Sequence, residues 1–274
     1  MVSKWSVNGR RSRLDPADRG LAYGDGLFET MAAVEGSIPW IDRHLARLTE
    51  GCRRLAIPLT DLETVRRHVT ALTPREGRAV VKLIVTRGSG TRGYRPPPIP
   101  RPTVIVGASA WRPPPDSHYT HGIALVTCDI RLGENSKLAG LKHLCRLEQV
   151  MAQIELVDRE DADEGLLLSL DNRVVSGTSN NIFAVRRQRV QTPRVDRCGV
   201  RGVMRGLVLD ACRTLGLAAE ETNMNIETLL EADEVFVTNA LAGIRPVRRL
   251  DSTTFPIGPQ TNLLSEHISR IGHD

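Results

Sequence analysis

Aromatic side chains are scarce in this sequence: Phe, Trp and Tyr together make up only 4% of its 274 residues. Proteins that bind nucleic acids usually combine a basic stripe with stacking aromatic rings or with a reading helix. Here the arginines are spread along the chain, and the net charge is a mild +5. We therefore expect no nucleic-acid partner, whereas a mild positive field suits a small anionic substrate.

Long apolar runs are missing as well. The three leucines at 166–168 are typical of the runs present, which are far too short to span a bilayer, so we expect no membrane partner. Residues 1–5 contain no apolar core of a secretory signal, which indicates a cytoplasmic protein. Hydrophobic residues make up 41% of the chain and charged residues 25%, the balance of a globular protein.

Clustered metal-binding or disulfide motifs are also missing. The five cysteines stand at positions 52, 128, 145, 198 and 212 and form no CxxC pair. An odd, unclustered set of cysteines argues against a disulfide framework and against a zinc site. The seven histidines include no HExxH motif, so we expect no metal.

One lysine stands out among the residues that are present. Lys142 has apolar neighbours on most sides and no carboxylate closer than Glu148. A lysine removed from water loses affinity for its proton, and its neutral amine is a nucleophile towards carbonyls. The alternative is a lysine that extends from a helix end into solvent. Helical spacing after it predicts an amphipathic helix whose buried stripe is Leu144, Leu147, Val150, Met151, Ile154 and Val157.

The remaining pattern predicts an α+β fold in two domains. Residues 41–55 have apolar positions three and four apart and precede Pro58, which predicts a helix. A second helix is predicted from about residue 203 to 215. The proline run at 113–115 is stiff and extended, so we place a linker at 113–120 between a smaller domain, 1–112, and a larger one, 121–274. Strands are predicted by β-branched content at 79–86, 103–106 and 122–127, and around a hairpin turn at 171–172.

Several separate motifs between about residues 18 and 247 resemble the fold type IV family of pyridoxal-phosphate (PLP) enzymes. They are DRGLAYGDGLFET at 18–30, HLARL at 44–48, RGSGTRGY at 87–94, LAGLKHL at 138–144, SGTSNNIF at 176–183, GVMR at 202–205 and TNA at 238–240. Within the family they are closest to the lyases that convert 4-amino-4-deoxychorismate to 4-aminobenzoate and pyruvate for folate synthesis. We take that reaction as the expected one. The alternatives are an aminotransferase for D-amino acids or branched-chain amino acids, and a non-catalytic ligand-binding relative.

The resemblance implies a role for each matching residue. Lys142 is expected to be the catalytic residue and to hold PLP as a Schiff base, in a homodimer with PLP between the domains. The other expected cofactor-binding residues, most of them around the phosphate, are Arg47, Ser176, Val203, Met204, Asn239 and Ala240. The expected substrate-binding residues are Phe28, Arg92 and Tyr94.

Position 176 departs from the family pattern. A glutamate usually stands there and keeps the pyridine nitrogen of PLP protonated, whereas Ser176 can only share a neutral hydrogen bond. Electron withdrawal should then be weaker, which favours elimination over amino transfer. Two other interpretations stay open: the chain has lost strong catalysis, or a nearby carboxylate takes over. The sequence also leaves open whether the 4-aminobenzoate feeds folate or a specialised product.

Overall fold

A computed structural model of the chain describes residues 4–59 and 61–272. Those residues form two compact units. The first unit runs to Pro113 and also includes Leu141–Cys145, and the second contains Pro114–Gly140 and the chain from Arg146 onwards. Within the described ranges, no helix is both long enough and apolar enough to cross a membrane.

The first unit is a four-stranded antiparallel sheet with helices on one face. Its elements are β1 (Lys4–Val7), α1 (Arg19–Tyr23), β2 (Gly26–Val34), α2 (Ile41–Arg54), α3 (Leu62–Leu72), β3 (Arg78–Thr86) and β4 (Thr103–Ala110). The strands lie in the order β1-β4-β3-β2. In β2 the buried side chains alternate with half-buried ones, so Leu27, Glu29 and Met31 lie on the face covered by helices, and Phe28 and Thr30 lie on the other.

The predicted helix at 41–55 is confirmed as α2. Leu45, Leu48 and Cys52 on its apolar stripe are buried, and the helix packs on β2. The chain enters it from Trp40 and leaves it just before Ala56, both with positive φ, and Pro58 follows. Local periodicity was sufficient here because the stripe and the stop signal are both short-range features.

The second unit is built on a mixed sheet of nine strands. The elements of this unit are α4 (Ser117–Thr120), β5 (Ile123–Leu132), α5 (Leu147–Glu155), β6 (Glu164–Ser169), β7 (Val174–Gly177), β8 (Asn181–Arg186), β9 (Arg189–Pro193), α6 (Val203–Thr214), β10 (Ala219–Thr222), α7 (Ile226–Leu230), β11 (Glu234–Asn239), β12 (Gly243–Leu250), β13 (Thr253–Thr254) and α8 (Pro259–Ile271). The strands lie in the order β10-β9-β8-β11-β12-β5-β6-β7, with β13 paired to β12.

The predicted strands at 79–86, 103–106 and 122–127 correspond to β3, β4 and β5. The hairpin between β6 and β7 turns at Asn172, which has the left-handed conformation that asparagine tolerates. The helix predicted from residue 203 is α6. The core of the unit is a cluster of buried aliphatic side chains on the central strands, among them Ile123, Leu166, Ile182 and Val237.

The structure differs from two predictions about Lys142. The lysine is not at a helix end, since α5 begins only at Leu147. It also packs with the first unit, whereas the sequence-based division placed it in the C-terminal domain. The physical reason is backbone pairing, because Phe28 N–H donates to the Lys142 carbonyl at 3.0 Å and Leu144 N–H donates to the Gly26 carbonyl at 3.0 Å.

The predicted buried stripe on α5 is wrong. The helix contacts β5, and the small side chain of Ala152 is buried. The larger apolar residues are between 49% and 78% exposed in the described chain: Leu147, Val150, Met151, Ile154 and Val157. The spacing of apolar residues correctly predicted that α5 has one apolar face. Spacing alone cannot show whether another part of the same chain covers that face.

Candidate functional site

Lys142 lies against an aromatic ring in the first unit. Its Nζ is 4.3 Å from the ring centre of Phe28, and the Nζ of Lys82 is 5.2 Å from the same centre. Lys82 is opposite Thr30 in the β2–β3 register, so Phe28, Thr30 and Lys82 share the half-buried face of the sheet. Both nitrogen atoms are within the roughly 6 Å range of cation–π contacts to this one ring, so the face brings two lysines to the same aromatic side chain.

The sequence analysis did not identify Lys82 as a candidate site residue. The signal was available, because Lys82 is a charged residue inside the apolar run of the strand at 79–86. A lysine in such a strand must lie on the less buried of the two faces, which is the face that carries Phe28.

Arg47 is held by a buried carboxylate. Its Nε donates to Glu29 at 2.8 Å and its Nη2 to the other carboxylate oxygen at 2.5 Å, a bidentate pair. His44 Nδ1 lies 2.6 Å from the same carboxylate. Burial would raise the pKa of Glu29, but the His44 hydrogen bond and the charge of Arg47 hold it below its usual value. The HxxR spacing on α2 therefore presents both residues to one anion on β2.

Arg92 and Tyr94 lie together on the loop that follows β3. Both side chains are exposed, Tyr94 by 85%. The Tyr94 ring makes an edge contact with Tyr23 at 5.4 Å between centres. The expected substrate-binding residues are thus all in the first unit, together with Lys142.

In the second unit, α6 begins with backbone amides that no side chain of the described residues caps. The capping position is Gly202, where a Cβ atom would collide with Asn181 Oδ1. Asn181 is fixed in turn by a 2.9 Å bond from its Nδ2 to the Val200 carbonyl. The first amides of the twelve-residue helix, those of Val203 and Met204, are therefore at an N-terminus suited to an anion.

Asn239 shapes the turn that follows β11. Its Oδ1 accepts from the backbone N–H groups of Leu241 and Ala242 at 3.0 and 2.8 Å, and this turn contains Ala240. Its Nδ2 donates to Asn180 Oδ1 at 2.8 Å, and Arg245 Nη2 donates to that same oxygen at 3.1 Å. Asn180 was also missed as a site residue: it lies in the motif at 176–183, but its bonds to Asn239 and Arg245 are long-range and leave no local signal.

Glu164 anchors the loop between β7 and β8. This buried carboxylate accepts from Thr178 N–H at 2.9 Å and from Ser179 Oγ at 3.0 Å, and also from Asn180 Nδ2. Glu164 is the residue against which we test the interpretation that another carboxylate replaces the glutamate missing at position 176. Its oxygens are engaged by loop donors, so it acts as a loop anchor.

Ser176 and Thr238 complete the second unit's candidate residues. Ser176 is buried on β7, and its Oγ donates to the Gly177 carbonyl at 2.8 Å. Thr238 is on β11, directly before Asn239 and opposite Asn181 in the strand register. Its buried hydroxyl has no hydrogen-bond partner among the residues that the structure describes. An orphaned hydroxyl of this kind is expected where a polar ligand binds.

The chain has relatives over nearly its whole length. The family model described as amino-transferase class IV matches residues 26–250. The aminodeoxychorismate lyase of Vibrio harveyi is 33% identical over 96% of this chain and 98% of its own length. A putative branched-chain-amino-acid aminotransferase of Methanocaldococcus jannaschii is 31% identical over 97% of this chain and 93% of its own.

The similarity extends to a solved structure. The 4-amino-4-deoxychorismate lyase of Pseudomonas aeruginosa is 44% identical and superposes with a TM-score of 0.93. The match covers 97% of this chain and 98% of that one.

The Glu29 pair predicts a pH-dependent stability. Because its pKa is lowered in the fold, Glu29 stabilises the folded state above its ordinary pKa, and that stability is lost as pH falls through the folded value. Glu29→Gln should therefore reduce the free energy of unfolding at pH 7 by about 3–5 kcal/mol, and less in acid. Urea unfolding at both pH values measures this.

The matched control is Glu50→Gln, which removes an exposed carboxylate paired with Arg53 on the same helix. Its unfolding curve at pH 7 should match that of the unmodified protein. Equal curves for both variants would contradict the structural role of Glu29.

Proposed function

This chain belongs to the amino-transferase class IV family, and from that premise we propose that it is a PLP-dependent lyase. The reaction is the conversion of 4-amino-4-deoxychorismate to 4-aminobenzoate and pyruvate, with a role in folate synthesis. The observation that carries the proposal is the Lys142 amine held 4.3 Å from the Phe28 ring. It occurs in a chain that is 44% identical to a lyase over nearly the whole length of both proteins.

The described residues fit the phosphate of PLP. In the second unit, the amides of Val203 and Met204, the orphaned Thr238 hydroxyl and the turn at Asn239 and Ala240 are all donors suited to an anion. For Arg47, in the first unit, the phosphate-binding role rests on the motif resemblance alone, because its Nε and Nη2 already donate to Glu29.

Lys142 supplies the reactive amine. Lys142 would hold PLP, and its amine, once free, would act as the base that removes the proton from the ring carbon bearing the substrate nitrogen. When bound, PLP draws electrons from that carbon. The bond between the neighbouring ring carbon and the ether oxygen would then break. Enolpyruvate would leave with that oxygen and become pyruvate on protonation at carbon, and the ring would become aromatic, which makes the step strongly downhill.

The substrate is an anion, and the first unit offers cations for it. Lys82 is beside Phe28, and Arg92 and Tyr94 are on the loop after β3. We assign the substrate carboxylates to these residues, with Phe28 packed against the ring. The two units would be the two domains expected on either side of residues 113–120, and the cytoplasmic location stays part of the proposal.

Ser176 favours elimination over amino transfer. A neutral hydroxyl leaves the cofactor a weaker electron acceptor than a carboxylate would. Elimination expels its leaving group promptly and therefore depends less on that acceptor. The aminotransferase alternative has a specific observation in its favour, the 31% identity to a relative named as a putative branched-chain aminotransferase.

The reaction is tested by two assays of the purified, PLP-loaded protein. One supplies aminodeoxychorismate and measures 4-aminobenzoate, and the other supplies D-alanine or leucine with 2-oxoglutarate. We expect elimination to be much faster, and Lys142→Ala to abolish it while keeping the folded circular-dichroism spectrum. Faster amino transfer would favour the aminotransferase, and no turnover in either assay would favour a ligand-binding protein.

The role of Ser176 is tested by restoring an acid. Ser176→Glu would place a carboxylate beside the pyridine nitrogen, and an opposite charge within a few ångströms stabilises the protonated nitrogen. We expect amino transfer to rise relative to elimination, with a changed cofactor absorbance. Ser176→Ala is the control, which removes the hydroxyl without adding charge and should not raise amino transfer. Normal PLP occupancy with an unchanged spectrum and rates in Ser176→Glu would show that position 176 does not contact the ring nitrogen.

We also propose a homodimer whose interface includes the exposed face of α5. That face has four large apolar side chains, and Val157 follows just after the helix; a contiguous apolar patch on a lone chain usually marks an interaction surface. Ile154→Glu should convert the dimer to a monomer in light scattering, because it buries a charge in the interface. Leu170→Glu, at an exposed leucine outside α5, is the control and should leave the dimer intact. A monomeric parent protein, or a dimer that survives Ile154→Glu, would contradict this interface.

A further inference from the structure

The loop between β3 and β4, all of which the structure describes, contains no helix or strand. Its backbone is nevertheless tied to α1 and to the residues just before it. Arg19 N–H donates to the Gly88 carbonyl at 3.0 Å, and Gly90 N–H donates to the Ala17 carbonyl at 3.2 Å. Gly93 N–H donates to the Tyr23 hydroxyl at 3.1 Å. These bonds hold the loop at intervals of two or three residues.

The side chain of Arg19 grips the tip of this loop. It is only 4% exposed, and its Nη2 donates to the Tyr94 carbonyl at 2.8 Å. Its Nη1 donates to the Gly93 carbonyl at 3.0 Å and, more weakly, to the Arg95 carbonyl at 3.5 Å. One guanidinium thus fixes three successive peptide groups, which a planar fork of five N–H donors can do.

The opposite side of the guanidinium is fixed as well. Arg19 Nε donates to Asp25 at 2.8 Å, and Arg87 binds both oxygens of that carboxylate at 2.8 and 2.9 Å. The Arg19 guanidinium also lies 4.9 Å from the centre of the Tyr23 ring. A buried charge is costly unless it is paired, and here every side of it has a partner. We call Arg19, Tyr23, Asp25 and Arg87 together the clamp. All of these residues except Arg87 belong to the DRGLAYGD segment.

We infer that Arg19 is a positioning residue that sets substrate affinity by fixing the backbone that carries Arg92 and Tyr94. The inference rests on the proposed function, in which those two residues contact the substrate carboxylate. Tyr94 is 85% exposed, so the backbone clamp, and not burial of that side chain, orders the loop. Arg19 itself lies beneath the loop and acts through it.

Arg19→Lys tests the clamp because it keeps a positive charge beside Asp25, but its three N–H donors cannot bind Asp25 and three carbonyls at once, as the five donors of arginine do. Arg131→Lys is the matched control, since Arg131 Nη1 also donates to three backbone carbonyls, those of Cys128, Asp129 and Ile130, in the second unit. Both variants are studied as the PLP-loaded protein. The cofactor absorbance should be unchanged in both.

Two readouts are measured. Trypsin cleavage between Arg92 and Gly93, followed by mass spectrometry, reports opening of the loop, and we expect it to be about tenfold faster in Arg19→Lys. The KM for aminodeoxychorismate should rise by about tenfold while kcat changes little, since uniform substrate binding is lost. The control variant should move neither quantity.

The role inferred for Arg19 and the proposed lyase function fail in distinguishable ways. Unchanged cleavage in a folded Arg19→Lys protein overturns the clamp, and faster cleavage with an unchanged KM overturns its role in substrate affinity. A parent protein that is inactive on aminodeoxychorismate refutes the proposed function and with it the affinity role, while cleavage still decides whether Arg19 holds the loop. If Arg19→Lys does not fold, Tyr23→Phe removes the acceptor of the Gly93 N–H and should move both readouts in the same direction by less.

Discussion

The backbone pairing between β2 and residues 142–144 is the constraint on which the proposed site depends. Two hydrogen bonds of 3.0 Å join Phe28 to Lys142 and Leu144 to Gly26, and His143 forms a bridge with Leu27. These backbone bonds hold Lys142 beside Phe28, so that the lysine amine is within reach of the ring. The same pairing keeps this segment extended, so α5 starts later, at Leu147.

The features that the sequence predicted well are those set by nearby residues. The helix α2, the turn at Asn172 and the start of α6 after Gly202 each follow from a local pattern of apolar spacing, turn chemistry or capping. The motif resemblance led to Lys142 and Phe28, which the structure places side by side. The environment of Lys142 was harder to predict, because its backbone partners lie more than a hundred residues away in the sequence.

The arginines show the limit of composition as a guide. Their spread along the chain gave no indication of which arginines are buried, and four of them are: Arg19, Arg87, Arg205 and Arg245. Each is bound to backbone carbonyls or to polar side chains from other segments. Long-range bonds of this kind leave no periodic signal, which is why Glu29 as the partner of Arg47 was also unforeseen. The charges of these four arginines therefore hold segments of the fold together and contribute little to attraction of a partner.

The amide of Asn180 has a consequence for how the sequence can diverge. Its nitrogen donates to Glu164 and its oxygen accepts from Asn239 and Arg245, so the position requires a donor at one end and an acceptor at the other. Aspartate would set two carboxylates against each other in the interior, and leucine would leave several polar groups without partners. Positions 164, 180, 239 and 245 are thus free to vary only as one set, and a cofactor site redesigned one residue at a time would meet this network as its main barrier.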